Sequence, residues 1–375
     1  MTDGVKDHLR VAGPEFREHL NFADPGFLWD FWYPALRSTQ ITGRKLSTAM
    51  LLEVPLVLGR TSQGKTFAIR DSCPHRGIPL SYGRFDGKTV ECSYHGWKFD
   101  ACSGQCVEIP SLASQDKLRV DRIFAGHYPC EEQDGFVWVY MTAPGARRPT
   151  SVPPAPALPV FSDKFNITRL ACELPSHVDQ GIIGLMDPAH GPFVHQSWYW
   201  RSRRSIHEKE KHFEPIPNGF RMSRHEPSSN SAPYKLLRYF SGAKTTTMID
   251  FVLPNMRLEE IQSGHFWFSS RATVTPVRRD LCRIDFVAAW NLVRWVPSVV
   301  PIFRVFAKKF LRQDQETMIQ QAEGLKHDPR LMLVDDADRP AKWYFALKEN
   351  LLESRRSGLP MVHPMSGPVS LRWRS

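Results

Sequence analysis

The chain has 375 residues, 42% of them hydrophobic and 11% aromatic, enough to bury a core and inconsistent with global disorder. Its length suggests about two or three domains. The net charge of +10 admits an acidic protein partner, nucleic acid or an anionic membrane surface, and charge alone does not choose among them.

The opening, MTDGVKDHLRVAGPEF, carries early acidic residues and no apolar stretch, so it does not read as a secretory signal. No run of about 18 apolar residues occurs, so no spanning helix is expected and a cytoplasmic location follows. Seven cysteines, an odd number, argue for reduced thiols or metal ligands over a disulfide framework.

Residues 1–28 read as an N-terminal extension with some helix, 29–147 as a first domain and 148–375 as a second. In the first, VPLVLGR (54–60), TFAIRD (66–71), TVECSY (89–94) and FVWVYM (136–141) are β-branched and aromatic runs bounded by turn residues, so an all-β unit is expected. The proline-rich RRPTSVPPAPALP (147–159) marks the boundary. Beyond it, HVDQGIIGLMDPAHGPFVH (177–195) reads as a helix broken by Pro188 and Pro192, and basic residues gather at 200–212. HFWFSSRATV (265–274) and CRIDFVAAW (282–290) alternate as strands, while 298–324 has helical periodicity. Asp335, Asp336 and Asp338 read as a solvated acidic loop. The second domain is expected to be α+β, an antiparallel sheet with long helices against it.

Two stretches carry chemistry. CPHRG (73–77) and CSYHG (92–96) each supply one cysteine and one histidine: Cys73 and His75, Cys92 and His95. A zinc finger pairs like with like; one of each per loop suits a [2Fe–2S] cluster with thiolates on one iron and imidazoles on the other. Gly77, Gly83 and Gly96 let the backbone turn closely around it. A zinc site is the competing reading. Of the other cysteines, Cys106 reads as structural and Cys130, Cys172 and Cys282 as buried thiols.

LMDPAHGPFVHQ (185–196) contains Asp187, His190 and His195 at spacings that share one broad helical face. Two imidazoles and a carboxylate suit ferrous iron with positions left open for O2 and a water. Asp187 alone also reads as the N-cap of a helix beginning at Pro188. In the 298–324 helix, Phe303, Phe306, Phe310, Asp314 and Met318 recur at steps of three or four, which places Asp314 on an apolar stripe. A carboxylate there is costly unless it binds a metal or a basic partner. Glu316 points to the opposite face.

CPHRG, CSYHGWKFD and GQCVEIP resemble the two cluster loops of the Rieske domain family, and FWYPALRS resembles its opening strand. DPAHGPFVH resembles the mononuclear-iron motif of Rieske non-haem iron oxygenases, and QDQETMIQQ their late acidic segment. The resemblance implies a Rieske domain followed by a helix-grip, START-like catalytic domain. It implies iron on His190 and His195 with Asp314 as third ligand, and Asp187 bridging to His95 of a neighbouring subunit. It further implies a homotrimer, and O2 as co-substrate with electrons from NAD(P)H through a reductase or ferredoxin. DPAHGPF and KWYFALK (342–348) resemble the pheophorbide a oxygenase-like branch. Relatives often carry Asn, Asp or Glu three or four residues before the bridging aspartate; Ile183 and Gly184 stand here, and Gln180 is a candidate to supply the polar group.

The expected reaction is hydroxylation or oxidative demethylation of a hydrophobic, aromatic or polycyclic substrate, with cis-dihydroxylation as the alternative. An electron carrier fused to a lipid- or steroid-binding module, and a zinc-dependent interaction protein, are the readings from other classes. No nucleic-acid module is recognised. Phe193, Trp198, Tyr199, Trp200, Phe251 and Trp267 are candidates to line the pocket. The stretch VPSVVPIFRVFAKKF (296–310) is read as part of a core helix rather than a membrane-surface segment.

Overall fold

The computed structural model describes residues 26–43, 45–145, 149–196, 203–227, 232–293, 296 and 298–375. The expected N-terminal extension up to residue 25, and Trp198, Tyr199 and Trp200, lie outside the described residues. Two compact units form, Phe27–Ala157 with Pro276–Arg278, and Leu158–Thr275 with Arg279–Ser375. The break therefore falls after Ala157 and not at 147. The prolines do not leave the first unit where they begin: Trp32 Nε1 donates to Pro153 O at 2.7 Å, and Ala155 N donates to Glu131 Oε2 at 3.0 Å.

The first unit is all β, as its strand-like runs require. It contains β1 (Phe31–Arg37), β2 (Ser47–Leu51), β3 (Val54–Arg60), β4 (Thr66–Arg70), β5 (Arg84–Phe85), β6 (Thr89–Glu91), β7 (Lys98–Asp100), β8 (Cys106–Glu108), β9 (His127–Tyr128), β10 (Cys130–Gln133) and β11 (Phe136–Met141). They build three small sheets in the orders β1-β11-β10, β2-β3-β4-β9 and β5-β6-β7-β8. Val57, Phe67, Ile69, Val90 and Phe99 share one core with Cys73, Cys92 and Cys106. Burial of two short loops' cysteines in that core fixes where the loops begin; their tips stay at the surface.

The second unit contains β12 (Asn166–Leu174), α1 (Val178–Met186), α2 (Gly191–Val194), β13 (Glu208–Ile216), β14 (Gly219–His225), α3 (Ala232–Ser241), β15 (Thr245–Val252), β16 (Met256–Ser263), β17 (Phe266–Arg278), β18 (Leu281–Trp290), α4 (Val299–Leu325), α5 (Asp335–Ser357) and β19 (Val369–Arg374). Its eight strands form one sheet, β12-β18-β17-β16-β15-β14-β13-β19. Helices cover one face. A Cβ at Gly181 of α1 would meet Val274, Cys282 and Leu174, so α1 lies directly on β17, β18 and β12. Phe303 of α4 packs on Trp290 and Phe268, and Trp343 of α5 on Phe213 and Phe220. The unit is α+β, an antiparallel sheet gripped by long helices.

Three expectations are corrected. Asp335, Asp336 and Asp338 are no loop but the first turn of α5, where acidic side chains suit the helix dipole and Asp338 Oδ2 accepts from Val334 N at 2.8 Å. Cys172 and Cys130 are half-buried, whereas Cys282 is fully buried. The N-terminal half of α4 is not a core helix in this chain: Ile302, Val305, Phe306 and Phe310 are all exposed. Among the described residues no helix is long and apolar enough to cross a membrane.

Candidate metal centres

The first donor set sits on two six-residue turns of matching construction, 73–78 and 92–97. The first lies within the longer segment between β4 and β5, and the second joins β6 to β7. In the first, Cys73 N donates to Ile78 O at 2.9 Å and Gly77 N to Cys73 O at 2.8 Å. In the second, Cys92 N donates to Trp97 O at 2.8 Å and Gly96 N to Cys92 O at 3.1 Å. Closing so tight a turn needs positive φ at the fifth position, +75° at Gly77 and +67° at Gly96, which glycine adopts without strain. Asp71 fastens the base of the first loop, accepting from Ser81 N and Ser81 Oγ at 2.7 Å each.

The donors pair by type. The Cys73 and Cys92 thiols are hydrogen-bond neighbours, and Cys73 is pushed up to about 11, burial being the largest cause. The His75 and His95 rings lie 4.6 Å apart, and Trp97 stacks on His75 at 4.6 Å with an interplanar angle of 3°. His75 is held below its ordinary pKa by burial first and by the like charge of His95 second. His95 Nδ1 is buried and has no hydrogen-bond partner among the described residues. A single tetrahedral zinc would draw all four donors around one point, whereas here the contacts run thiol to thiol and ring to ring. Thiols together, imidazoles together and an orphaned buried nitrogen fit a two-iron core.

The second donor set lies on α1, α2 and α4. Pro188 stops α1 at Met186, because its ring removes a donor and forces the preceding residue out of helical geometry; Asp187 has φ −61° and ψ 116°. Asp187 therefore ends one helix and does not N-cap a helix at Pro188. Its Oδ1 accepts from Ala189 N at 2.6 Å, and its Oδ2 lies 3.5 Å from His190 Nδ1. That turn delivers His190 at the head of α2 and His195 at its end.

The free nitrogens of both rings then converge on α4. His190 Nε2 and His195 Nε2 are 3.1 Å apart, and Asp314 Oδ1 is 3.0 Å from His195 Nε2 and 3.9 Å from His190 Nε2. Cis ligands around an octahedral ion with bonds of about 2.1 Å are separated by about 3 Å, so three donors at these distances fit one face of such an ion. Burial opposes charge on His190, but Asp187 and then Asp314 outweigh it and raise its pKa.

Two contacts to His195 carry no signal in the sequence. Gln313 Oε1 lies 3.2 Å from His195 Nδ1, which fixes Nδ1 as the protonated nitrogen and Nε2 as the inward acceptor. Phe310 stacks on the ring with centroids 3.4 Å apart. Asp314 reaches the histidines without the burial its stripe suggests, its side chain keeping 27% exposure. Glu316 pairs with Arg312 on the exposed side. A Cβ at Gly184 would stand 3.4 Å from Met318 Cε, so α1 crosses α4 at this position through contact with Met318 and not through a polar side chain. Gln180 is buried, and neither of its amide atoms has a partner among the described residues. Of the aromatic candidates, Phe251 is core packing on Phe220, and Phe193 is exposed beneath Arg203.

Residues 31–122 match the Rieske [2Fe–2S] domain family. Over 172 residues the chain is 35% identical to the 3-chlorobenzoate-3,4-dioxygenase oxygenase subunit of Comamonas testosteroni, covering 45% of this chain and 38% of that protein. It is 32% identical to the chloroplastic pheophorbide a oxygenase of Oryza sativa subsp. japonica, covering 52% and 41%. The chain thus spans about two fifths of the length of these curated relatives. Among solved structures, NdmA of Pseudomonas putida CBB5 with caffeine superposes with a TM-score of 0.69 at 18% identity, covering 94% of this chain and 99% of that one. Dicamba monooxygenase bound to dicamba gives 0.67 at 18% identity, covering 88% and 99%. The chain carries a Rieske [2Fe–2S] domain and has the fold of the Rieske oxygenases.

Proposed function

We propose that this chain is the terminal oxygenase component of a multicomponent system that inserts oxygen from O2 into a hydrophobic, aromatic or polycyclic substrate. The observation that carries the reading is the convergence of His190, His195 and Asp314 in a chain whose other unit is a Rieske domain. In it, Cys73, His75, Cys92 and His95 hold the [2Fe–2S] cluster, and His190, His195 and Asp314 hold a mononuclear Fe(II). When bound, the cluster supplies single electrons and the ferrous ion supplies the site of O2 reduction.

The protein's own residues set the geometry. Gln313 accepts from the outer nitrogen of His195, and the Asp187 carboxylate faces that of His190 at 3.5 Å, an arrangement that suits both rings presenting Nε2 inward. Phe310 covers His195 from the outside. Asp187 keeps 33% side-chain exposure, which suits a bridge to His95 of a neighbouring chain in a homotrimer. Electrons reach the cluster from NAD(P)H through a ferredoxin, a reductase or both, and the net charge of +10 suits an acidic donor. The reading places the protein in the cytoplasm.

The test is iron and acid-labile sulfide per chain, with EPR of the reduced protein and O2 uptake against a panel of ring substrates. About three irons and two sulfides with a Rieske signal are expected, and His190→Ala should lose the mononuclear iron and turnover while the cluster signal stays. Two irons and two sulfides even after Fe(II) is supplied would overturn the oxygenase reading in favour of an electron carrier.

A further inference from the structure

The helix-covered face of the large sheet is apolar over most of its area, as burial requires, but on β14, β15 and β16 polar side chains stand among the apolar ones. Directly paired residues of an antiparallel ladder point to the same face. Phe251 pairs with Arg257, and Phe251 packs on Phe220, which packs on Trp343 of α5. Arg257 and, two residues on, Glu259 therefore face the helices. Thr247 pairs with Ile261, and Ile261 with Phe268, which lies under Phe303 of α4, so Thr247 faces the helices too. His225 is the partner of Thr247 across the next ladder, beyond a bulge after Met222.

Each of these side chains is left with unspent hydrogen-bonding capacity. Arg257 Nη1 donates to Glu259 Oε2 at 2.9 Å, which leaves Oε1 for another donor; the pair keeps 22% and 16% side-chain exposure. His225 Nδ1 donates to Ser223 O at 2.8 Å, so Nε2 carries the lone pair. Burial is the largest cause pushing this imidazole down to about 4, so it is a neutral acceptor. Thr247 Oγ1, on a residue 4% exposed, has no partner among the described residues. A buried hydroxyl without a partner is unfavourable, and in native proteins such a group is usually completed by a protein group, an ordered water or a ligand.

We propose that His225 Nε2, Glu259 Oε1 and Thr247 Oγ1 form a recognition wall for the substrate and take a hydroxyl group on an otherwise apolar ring system. This rests on the oxygenase reading and narrows its substrate class: acceptors outnumber donors on this wall, so the matching ligand group is one that donates. Phe268 and Ile261 beside it supply the apolar surface on which the ring packs.

The experiment is anaerobic fluorescence titration of the full chain, loaded with cluster and iron, with 2-naphthol and with 2-methoxynaphthalene. The two differ in one donated hydrogen bond. The expected result is about tenfold tighter binding of 2-naphthol, the effect of one hydrogen bond to a buried group, with His225→Phe and Thr247→Val each reducing the preference. Equal affinities, a preference that both variants retain, or no saturable binding of either probe overturns the proposal. Iron and sulfide counts on the same samples separate the two readings: with both metals present, such a result removes the wall alone, and with the mononuclear iron missing the oxygenase reading falls and takes the wall with it.

Discussion

The cluster loops and the histidine–aspartate site bring together similar donors by opposite means. Each cluster loop holds its cysteine and histidine within four residues and closes on itself through its own backbone hydrogen bonds. The second site gathers His190 and His195 from a proline-broken turn and Asp314 from a helix more than a hundred residues later. The first geometry is local, and its burial is limited to two cysteines. The second depends on how α1, α2 and α4 pack. Damage to the first should be all-or-none and confined to its unit; damage to the second should be graded and should follow packing.

The largest expected effect tests the local half. Cys92→Ser removes one of the paired thiols. Visible absorption of the cluster should vanish and iron should fall by about two per chain, because the cluster requires four ligands. Fe(II) binding at His190, His195 and Asp314 should persist in the same sample. Loss of both metals together would show that the sites are not independent.

Next in size is the brace behind α1. Asp179 is fully buried and accepts from Lys348 Nζ at 2.8 and 2.9 Å and from the hydroxyl of Tyr344, both on α5. Lys348→Met leaves the buried carboxylate without its cation, while the Tyr344 hydroxyl still donates to it, and breaking a buried ion pair in this way costs about 3–5 kcal/mol. Denaturant unfolding should show that loss, and the double variant Asp179→Leu, Lys348→Met should recover much of it, since a buried ion pair is often replaceable by apolar groups. A single variant as stable as the parent would mean that α1 is not held by this pair.

How much of this was legible in the sequence follows the same division. The cluster donors stand out because the loops are contiguous and the glycines mark their turns. His190 and His195 stand out for the same reason. For Asp314 burial is not the signal, since Phe306 and Phe310 on its stripe are exposed; what makes the helix face distinctive is its contact with His195. Gln313, Asp179 and Lys348 had no signal at all. Their partners are 118, 165 or 169 residues away, and no periodicity reports a contact of that kind. The acidic run at 335–338 has the charge density of a solvated loop, yet the same charge suits a helix's first turn, and the sequence alone does not separate the two.

A smaller effect isolates the support of one ring. Gln313→Leu keeps the size of the side chain and removes the acceptor at His195 Nδ1. Removing such a partner costs about 10–100-fold in metal affinity, so Fe(II) titration should weaken by that factor while the cluster spectrum stays unchanged. Unchanged Fe(II) affinity would show that Phe310 stacking alone orients His195.

The smallest effect comes from two glycines one turn apart on α1, and its sign is the test. A Cβ at Gly181 would lie 2.8 Å from Val274 Cγ1 and 3.0 Å from Cys282 Sγ, both fixed in the sheet. Gly181→Ala must push α1 off β17 and β18, and overpacking of that kind costs about 1–3 kcal/mol. At Gly184 the nearest atom is Met318 Cε at 3.4 Å, an ordinary contact with the free end of a flexible side chain. Gly184→Ala should therefore show the usual gain of a helix-interior alanine, about 0.5–1 kcal/mol. Because α1 leads into the turn that carries His190, Fe(II) affinity should fall with Gly181→Ala and hold with Gly184→Ala. Stability changes of the same sign at both positions would mean that helix propensity, and not contact with the sheet, governs α1, and the second site would then owe less to packing than its geometry implies.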